Sequence, residues 1–154
     1  MNKIGKSMFA GFVATVVLSV LMILKMKMGL MPELNAIKMM TTMAHNMAGM
    51  PEAMAVGWIM HFMIGTVLWG VLFALLAESL PGSGYTAKGL SFSVLAWILM
   101  MVIVMPMAGA GFFGLSLGMM APVMTLILHL IYGAVLGGLY GKLLGAASSA
   151  DAPA

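Results

Sequence analysis

Four long apolar stretches, separated by short polar intervals, dominate the pattern of hydrophobic and polar positions along the chain. They cover residues 8–30, 55–77, 89–107 and 122–144. A transmembrane helix needs about 20 mainly apolar residues, so these stretches are long enough to cross a bilayer. The pattern predicts an all-α fold, an integral membrane four-helix bundle in a single transmembrane domain over residues 1–145. The small, polar residues 146–154 are expected to form a flexible tail.

The composition agrees with a membrane environment. Of the 154 residues, 63% are hydrophobic and 7% are charged, whereas soluble domains carry about 25% charged residues. The charges are too sparse for a nucleic-acid surface. The absence of cysteine excludes disulfides, thiolate metal sites and cysteine nucleophiles. We therefore expect a multi-pass protein that binds no nucleic acid and is surrounded by the lipid bilayer.

The lysines indicate how the chain is oriented. Four spans place both termini on one side, which carries Lys3, Lys6, Lys88 and Lys142, while the other side carries Lys25, Lys27 and Lys38. The positive-inside rule therefore favours cytoplasmic termini, by four lysines to three, in a bacterial inner membrane. Lys25 and Lys27 are expected to reach from the end of the first span to the lipid headgroups.

An internal repeat relates the second span to the fourth. Residues 59–76 and 127–144 align with eight identities in eighteen positions, including His61 with His129 and Gly65 with Gly133. Such self-similarity predicts a duplicated helical hairpin. The bundle would then be built from two similar transmembrane hairpins, related by an axis along the membrane normal.

Glycines recur at intervals of four on the second and fourth spans. Residues four apart share one helix face, and a face of small residues lets another helix approach closely in lipid. The residues expected to pack in this way are Gly57, Gly65, Gly133, Gly137 and Gly141.

Two histidines lie at similar depth inside their spans, and an ionisable residue in a membrane is a functional candidate. His61 and His129 each precede a glycine by four residues, which leaves room for a flat ring beside the imidazole. Two inward-facing histidines could ligate a haem b. The alternative is that each imidazole forms a hydrogen bond across a helix interface and only holds the helices together.

Methionine is the second unusual feature, with 21 in the chain. In the first loop Met39, Met43 and Met47 fall on one helical stripe, and His45 lies in the same segment. Thioethers select Cu(I), so His45, Met43 and Met47 form a candidate copper site. A short amphipathic helix lying on the membrane with a methionine face explains the same pattern without a metal.

The polar residues do not form a known catalytic arrangement. All four carboxylates, Glu33, Glu52, Glu78 and Asp151, fall outside the spans, so no buried carboxylate offers a proton or cation relay. The chain contains neither a phosphate-binding Walker loop nor a zinc-protease HExxH helix.

We therefore expect a protein that is not an enzyme and has a structural or accessory role in the membrane. Its candidate partner is another membrane protein or a second copy of the chain. One alternative is a haem- or copper-binding redox or metal-handling protein that uses His61 and His129. A further alternative is a small-solute permease, for which the spans offer little polar lining.

Four short segments resemble a known family. They are Gly-Leu-Met-Pro-Glu-Leu at residues 29–34, His-Phe-Met-Ile-Gly at 61–65 with Trp69-Gly70, Met-Pro-Met-Ala-Gly-Ala-Gly at 105–111 and His-Leu-Ile-Tyr-Gly-Ala at 129–134. With them the chain is similar to small uncharacterised bacterial inner-membrane proteins of four predicted spans, classed as a domain of unknown function. The resemblance covers nearly the whole chain except the tail. It implies the four-span topology and supplies no activity.

Overall fold

Five helices and a short 3₁₀ turn make up the fold. The computed structural model describes the backbone of residues 2–150 and the side chains of residues 2–145. The helices are α1 (Lys3–Lys27), α2 (Ala36–Ala48), α3 (Met54–Leu76), α4 (Tyr85–Met107) and α5 (Ala121–Ala150). No strand occurs within residues 2–150. The fold is therefore all-α, as the sequence predicts.

Four of these helices are long and apolar enough to cross a membrane: α1, α3, α4 and the part of α5 from Ala121 to Gly145. Large apolar side chains such as Phe9, Val20 and Ile59 are exposed on their outer faces, where lipid would cover them. The backbone of α5 continues through residues 146–150 of the predicted flexible tail, and residues 151–154 lie outside the described part.

The first span starts earlier than its apolar stretch because the chain before it supplies a helix cap. The Asn2 side chain accepts a hydrogen bond of 2.8 Å from the backbone N–H of Gly5, which satisfies one of the free donors at the helix start. The helix ends at Lys27, before the predicted Leu30, where Gly29 adopts a left-handed conformation with φ of 68°.

The prediction that Lys25 reaches the headgroups is wrong. Its side chain is buried, and Nζ donates hydrogen bonds to the backbone carbonyls of Met31 at 3.1 Å and Leu34 at 2.6 Å. These carbonyls lie in the turn that follows α1. The Met31 carbonyl also accepts a hydrogen bond of 3.0 Å from the backbone N–H of Leu34, whereas the ammonium group is the donor that pairs the buried carbonyl of Leu34.

Substituting Lys25 by methionine is expected to lower the free energy of unfolding by about 2 kcal/mol, because the buried carbonyl of Leu34 loses its donor. Denaturation midpoints in detergent measure the loss. Lys27→Met is the matched control, since Lys27 is exposed two residues away. Equal effects of the two variants would contradict a structural role for the buried ammonium group.

The first loop forms a helix that folds back against α3. Asn35 caps α2 by accepting from the N–H of Lys38 at 3.0 Å, and Gly49 ends the helix in a left-handed conformation with φ of 63°. Gly57 of α3 allows the close approach, because a Cβ there would collide with the carbonyl of Ile37 and the hydroxyl of Thr41. The glycine predicted to pack at position 57 therefore contacts α2 and not another span.

Glycine contacts hold the first hairpin, α1 with α3, together. A Cβ on Gly11 would lie 2.7 Å from the carbonyl oxygen of Gly65, and one on Gly65 would collide with the hydroxyl of Thr15. Ser7 adds a hydrogen bond of 2.6 Å from its hydroxyl to the carbonyl of Gly70.

The second hairpin, α4 with α5, uses corresponding contacts. A Cβ on Gly89 would collide with the carbonyl of Gly133, and one on Gly133 would lie 2.5 Å from the hydroxyl oxygen of Ser93. Gly137 and Gly141 lie against Tyr85. In both hairpins, therefore, a glycine of the second helix faces a glycine and a hydroxyl residue of the first.

The two hairpins join through α1 and α5, which pack against each other. One buried cluster includes residues of all four spans: Ala10, Ala14, Phe73, Phe92, Leu136 and Tyr140. A second cluster, Leu34, Met101, Met105 and Ala110, lies with the connections opposite the termini. Between α4 and α5 the chain forms the 3₁₀ turn Phe112–Leu117, in which Gly114 is buried and Phe112 is exposed.

A group of charged and hydrogen-bonded side chains, which we call the charged corner, lies at the end of the bundle at which α1 begins. Glu78 accepts a hydrogen bond of 3.0 Å from the hydroxyl of Tyr85, and its carboxylate lies 3.5 Å from the Lys88 ammonium and 3.9 Å from that of Lys3. The hydrogen bond from Tyr85 and the charge of Lys88 lower the pKa of Glu78 below its usual value. The corner is solvent-exposed, so it helps to orient the hairpins and contributes little to stability.

Candidate functional site

A cavity of about 170 Å³ lies between the two hairpins, and we call it the central cavity. His61 of the first hairpin and His129 of the second both line it. The structure therefore brings together the two histidines that the repeat places at equivalent positions. Sequence periodicity does not show this convergence, because it depends on the order of the helices around the bundle.

The hydrogen bonds of His61 determine which of its ring nitrogens carries the proton in the neutral imidazole. His61 is buried, and its Nε2 lies 3.1 Å from the hydroxyl oxygen of Ser19 on α1. That hydroxyl donates its single proton to the carbonyl of Thr15, at 2.7 Å. In this arrangement Nε2 donates to the Ser19 hydroxyl oxygen, and Nδ1 of His61 carries no proton.

His129 has the opposite tautomer. Its Nδ1 lies 2.8 Å from the carbonyl oxygen of Thr125, one turn earlier in α5. A carbonyl only accepts, so Nδ1 donates, and Nε2 is left with a free lone pair. Histidines that bind metals usually show this pattern, in which one nitrogen donates to a carbonyl or hydroxyl and the other is available to a ligand.

Methionines supply most of the other polarisable groups around the two imidazoles. Six of them line the central cavity: Met22, Met39, Met40, Met43, Met100 and Met105. They come from α1, α2 and α4, so the cavity collects thioethers from segments far apart in the sequence. Imidazole and thioether are the ligands that suit Cu(I), and the cavity is therefore a candidate site for a soft monovalent metal.

The loop site predicted from His45, Met43 and Met47 is only partly assembled. Met43 lines the central cavity, whereas Met47 is exposed and borders a separate outer pocket. The Nδ1 atom of His45 lies 2.9 Å from the carbonyl of Met50, and this imidazole is exposed at the end of α2. The structure thus places Met43 with His61 and His129, and it does not place His45 or Met47 there.

Sequence reasoning missed the methionines contributed by the spans. Met22, Met100 and Met105 are in apolar stretches, where methionine is a common filler of irregular gaps. No local spacing distinguishes them from Met101 or Met124. Finding them from the sequence would have required the overall excess of methionine together with the order of the helices around the bundle.

Two π-helical turns border the central cavity. One covers Met63–Leu68 and begins two residues after His61, and the other covers Met100–Val104 in α4. In the first turn, the carbonyl of Gly65 accepts a hydrogen bond of 2.5 Å from the hydroxyl of Tyr132 on α5. The second precedes Pro106, which has no N–H to donate, and a wider turn is one way to accommodate it. Single π-helical turns inside α-helices are frequent at functional sites.

Lys25 contributes an ammonium group to the lining of the central cavity. Its ammonium group can donate three hydrogen bonds, and two of them go to backbone carbonyls in the turn after α1. Among the described residues, no group of three or more histidine, aspartate and glutamate side chains could hold a metal ion. A metal in this cavity would therefore need sulfur ligands from methionine.

Comparison with known proteins places the chain in a family. No curated protein and no solved structure matches it. A family model described as a family of unknown function, DUF6789, matches residues 1–151. The four spans and the match over nearly the full length agree with the resemblance noted from the sequence. The chain is a member of this family of unknown function, DUF6789.

Proposed function

We propose that the protein is a non-enzymatic metal-handling protein of the bacterial inner membrane, which binds Cu(I) in the central cavity. One observation carries this proposal: His61 and His129, one from each hairpin, line the same small cavity as six methionines. The sequence alone favours a structural or accessory role, because it does not show whether the histidines meet. Their convergence favours the metal-handling alternative.

The charges around the cavity support a monovalent ion. No carboxylate of the described residues lines it, and the Lys25 ammonium group already places one positive charge there. A divalent ion would bring two further charges into an apolar space, where an unpaired charge is costly. Cu(I) brings one charge and binds well to neutral nitrogen and sulfur ligands.

The size of the cavity supports an ion over a haem. At about 170 Å³ it is close to the roughly 150 Å³ of an engineered cavity that holds one benzene molecule. A haem contains four pyrrole rings in one flat macrocycle and needs several times that space. Binding haem b between His61 and His129 would therefore require the hairpins to move apart.

The lining of the cavity gives little support to a small-solute permease. Its surface consists almost wholly of apolar atoms, whereas a hydrated path needs polar groups along its length.

We also propose that the two hairpins arose by duplication and that the termini are cytoplasmic. The corresponding contacts of Gly65 with Thr15 and of Gly133 with Ser93 support the first point. The bias of four lysines to three supports the second.

A structural role with another membrane protein or a second copy is the competing function. The hydrogen bond between His61 and Ser19 favours this role, because it joins α3 to α1.

An anaerobic titration in mild detergent tests the metal-binding proposal. About one equivalent of Cu(I) per chain is expected to move from a coloured Cu(I) chelate to the protein, since the cavity holds one set of soft ligands. The bound ion should raise the thermal midpoint, because it binds only the folded state. Absence of transfer, with an unchanged midpoint, would contradict metal binding and leave the structural role. A Soret band on purification would instead support haem.

A further inference from the structure

A second, wider space lies beside the central cavity, and we call it the vestibule. Its volume is about 540 Å³, and it opens at the end of the bundle opposite the termini. Residues of α2 and its preceding turn form one side, including Glu33, Lys38 and Asn46, and the end of α4 forms the other, at Met107. The vestibule has a substantial polar lining, unlike the central cavity.

Helix α2 separates the two spaces, and its methionines connect them. Met39 and Met43 line both the central cavity and the vestibule. Met47, one further turn along the same face, lines only the vestibule and is 66% exposed. The stripe that the sequence predicts on α2 therefore leads from the outer surface to the cavity that holds the histidines.

The opposite face of α2 is fixed in place. Ile37, Thr41 and Ala44 are buried, and Gly57 of α3 lies directly against the backbone of Ile37. The side chains of the methionine stripe can change rotamer at low cost, because methionine has three rotatable side-chain bonds. An ion could therefore pass along the stripe without movement of α2 itself.

We propose that the vestibule is the loading site through which Cu(I) reaches the central cavity. This inference rests on the proposed function. Met47 and Met107 bind the arriving ion, Met43 and Met39 bind it next, and His61 and His129 receive it. At each step one thioether dissociates as another group binds, and copper remains Cu(I). No proton or electron is transferred, because thioethers and neutral imidazoles bind without deprotonation.

The rate of Cu(I) uptake tests this route separately from affinity. The Met47→Leu/Met107→Leu variant removes two thioethers from the vestibule and preserves the approximate size of the side chains. We expect stopped-flow uptake from a coloured Cu(I) chelate to slow by about tenfold, because the first soft ligands are lost. The equilibrium affinity of the central site should stay within about twofold of wild type, since none of its ligands is changed.

The matched control is Met28→Leu/Met119→Leu. Both methionines are highly exposed at the same end of the bundle, and neither lines the vestibule or the central cavity. The control should take up Cu(I) at the wild-type rate. Equal slowing in the two double variants, or wild-type uptake by Met47→Leu/Met107→Leu, would overturn the loading route while leaving central binding intact. If wild-type protein binds no Cu(I) even at equilibrium, the proposed function fails and the route fails with it.

Discussion

Replacing Gly137 by alanine is expected to lower the stability of the bundle by about 3 kcal/mol, at the upper end of the usual cost of overpacking. The added Cβ would collide with the carbonyl of Tyr85 and would lie 3.0 Å from the Cα of Gly89. Both atoms belong to the backbone, so no side-chain rotation relieves the contact. Helices α4 and α5 would have to separate, and that separation would weaken the packing within the second hairpin.

The neighbouring glycine provides a matched control for this experiment. A Cβ on Gly138 would meet only the hydroxyl oxygen of Thr86, at 3.4 Å, which is an ordinary contact. Both substitutions gain the same intrinsic helix propensity of about 1 kcal/mol, so Gly138→Ala should be neutral or slightly stabilising. Denaturation in detergent measures the two midpoints. Equal midpoints for the two variants would contradict glycine packing between α4 and α5.

Removing either central histidine is expected to lower the affinity for Cu(I) by more than about 100-fold, because loss of a group that merely supports a metal ligand already costs 10- to 100-fold. His61→Ala and His129→Ala each remove a nitrogen ligand, and the thioethers remain. Competition with a Cu(I) chelator measures the affinities. His45→Ala is the control, because His45 is exposed and lies outside the central cavity.

The stability of the metal-free variants distinguishes binding from helix packing. His61→Ala loses its hydrogen bond to Ser19 on another helix and should lower the free energy of unfolding by about 1 kcal/mol. The His129 bond lies within α5, so His129→Ala should have a smaller effect. If both variants lose stability but bind Cu(I) like wild type, the histidines only hold helices together, and the metal-handling proposal is wrong.

Hydropathy was sufficient to predict the four spans. Water is absent from the bilayer core, so backbone groups there must be paired within a helix, and the length of an apolar stretch then indicates the span. Glycine spacing also identified residues that pack closely, since Gly65, Gly133 and Gly137 all lie against other backbone or side-chain atoms. Gly57 packs closely as well, although its neighbour is the loop helix α2. Spacing identifies a packing face without identifying the partner.

The candidate site was less accessible to sequence reasoning. The depth of His61 and His129 could be read from the sequence, but their convergence depends on how the helices are ordered and rotated. The burial of Lys25 depends on the carbonyls of Met31 and Leu34, which are exposed to the ammonium group only after the chain turns back. Local helix propensity does not specify the π-helical turn that follows His61, whereas the one before Pro106 adjoins a residue that has no N–H to donate.

X-ray absorption at the copper edge of the Cu(I)-loaded protein tests the central claim most directly, because it reports the atoms bound to the metal. The proposed site should give a Cu(I) edge, the multiple-scattering pattern of imidazole and a sulfur shell. The imidazole pattern should disappear in His61→Ala/His129→Ala and persist in His45→Ala. A spectrum without sulfur, or one that the double histidine variant leaves unchanged, would contradict a copper site between the two hairpins.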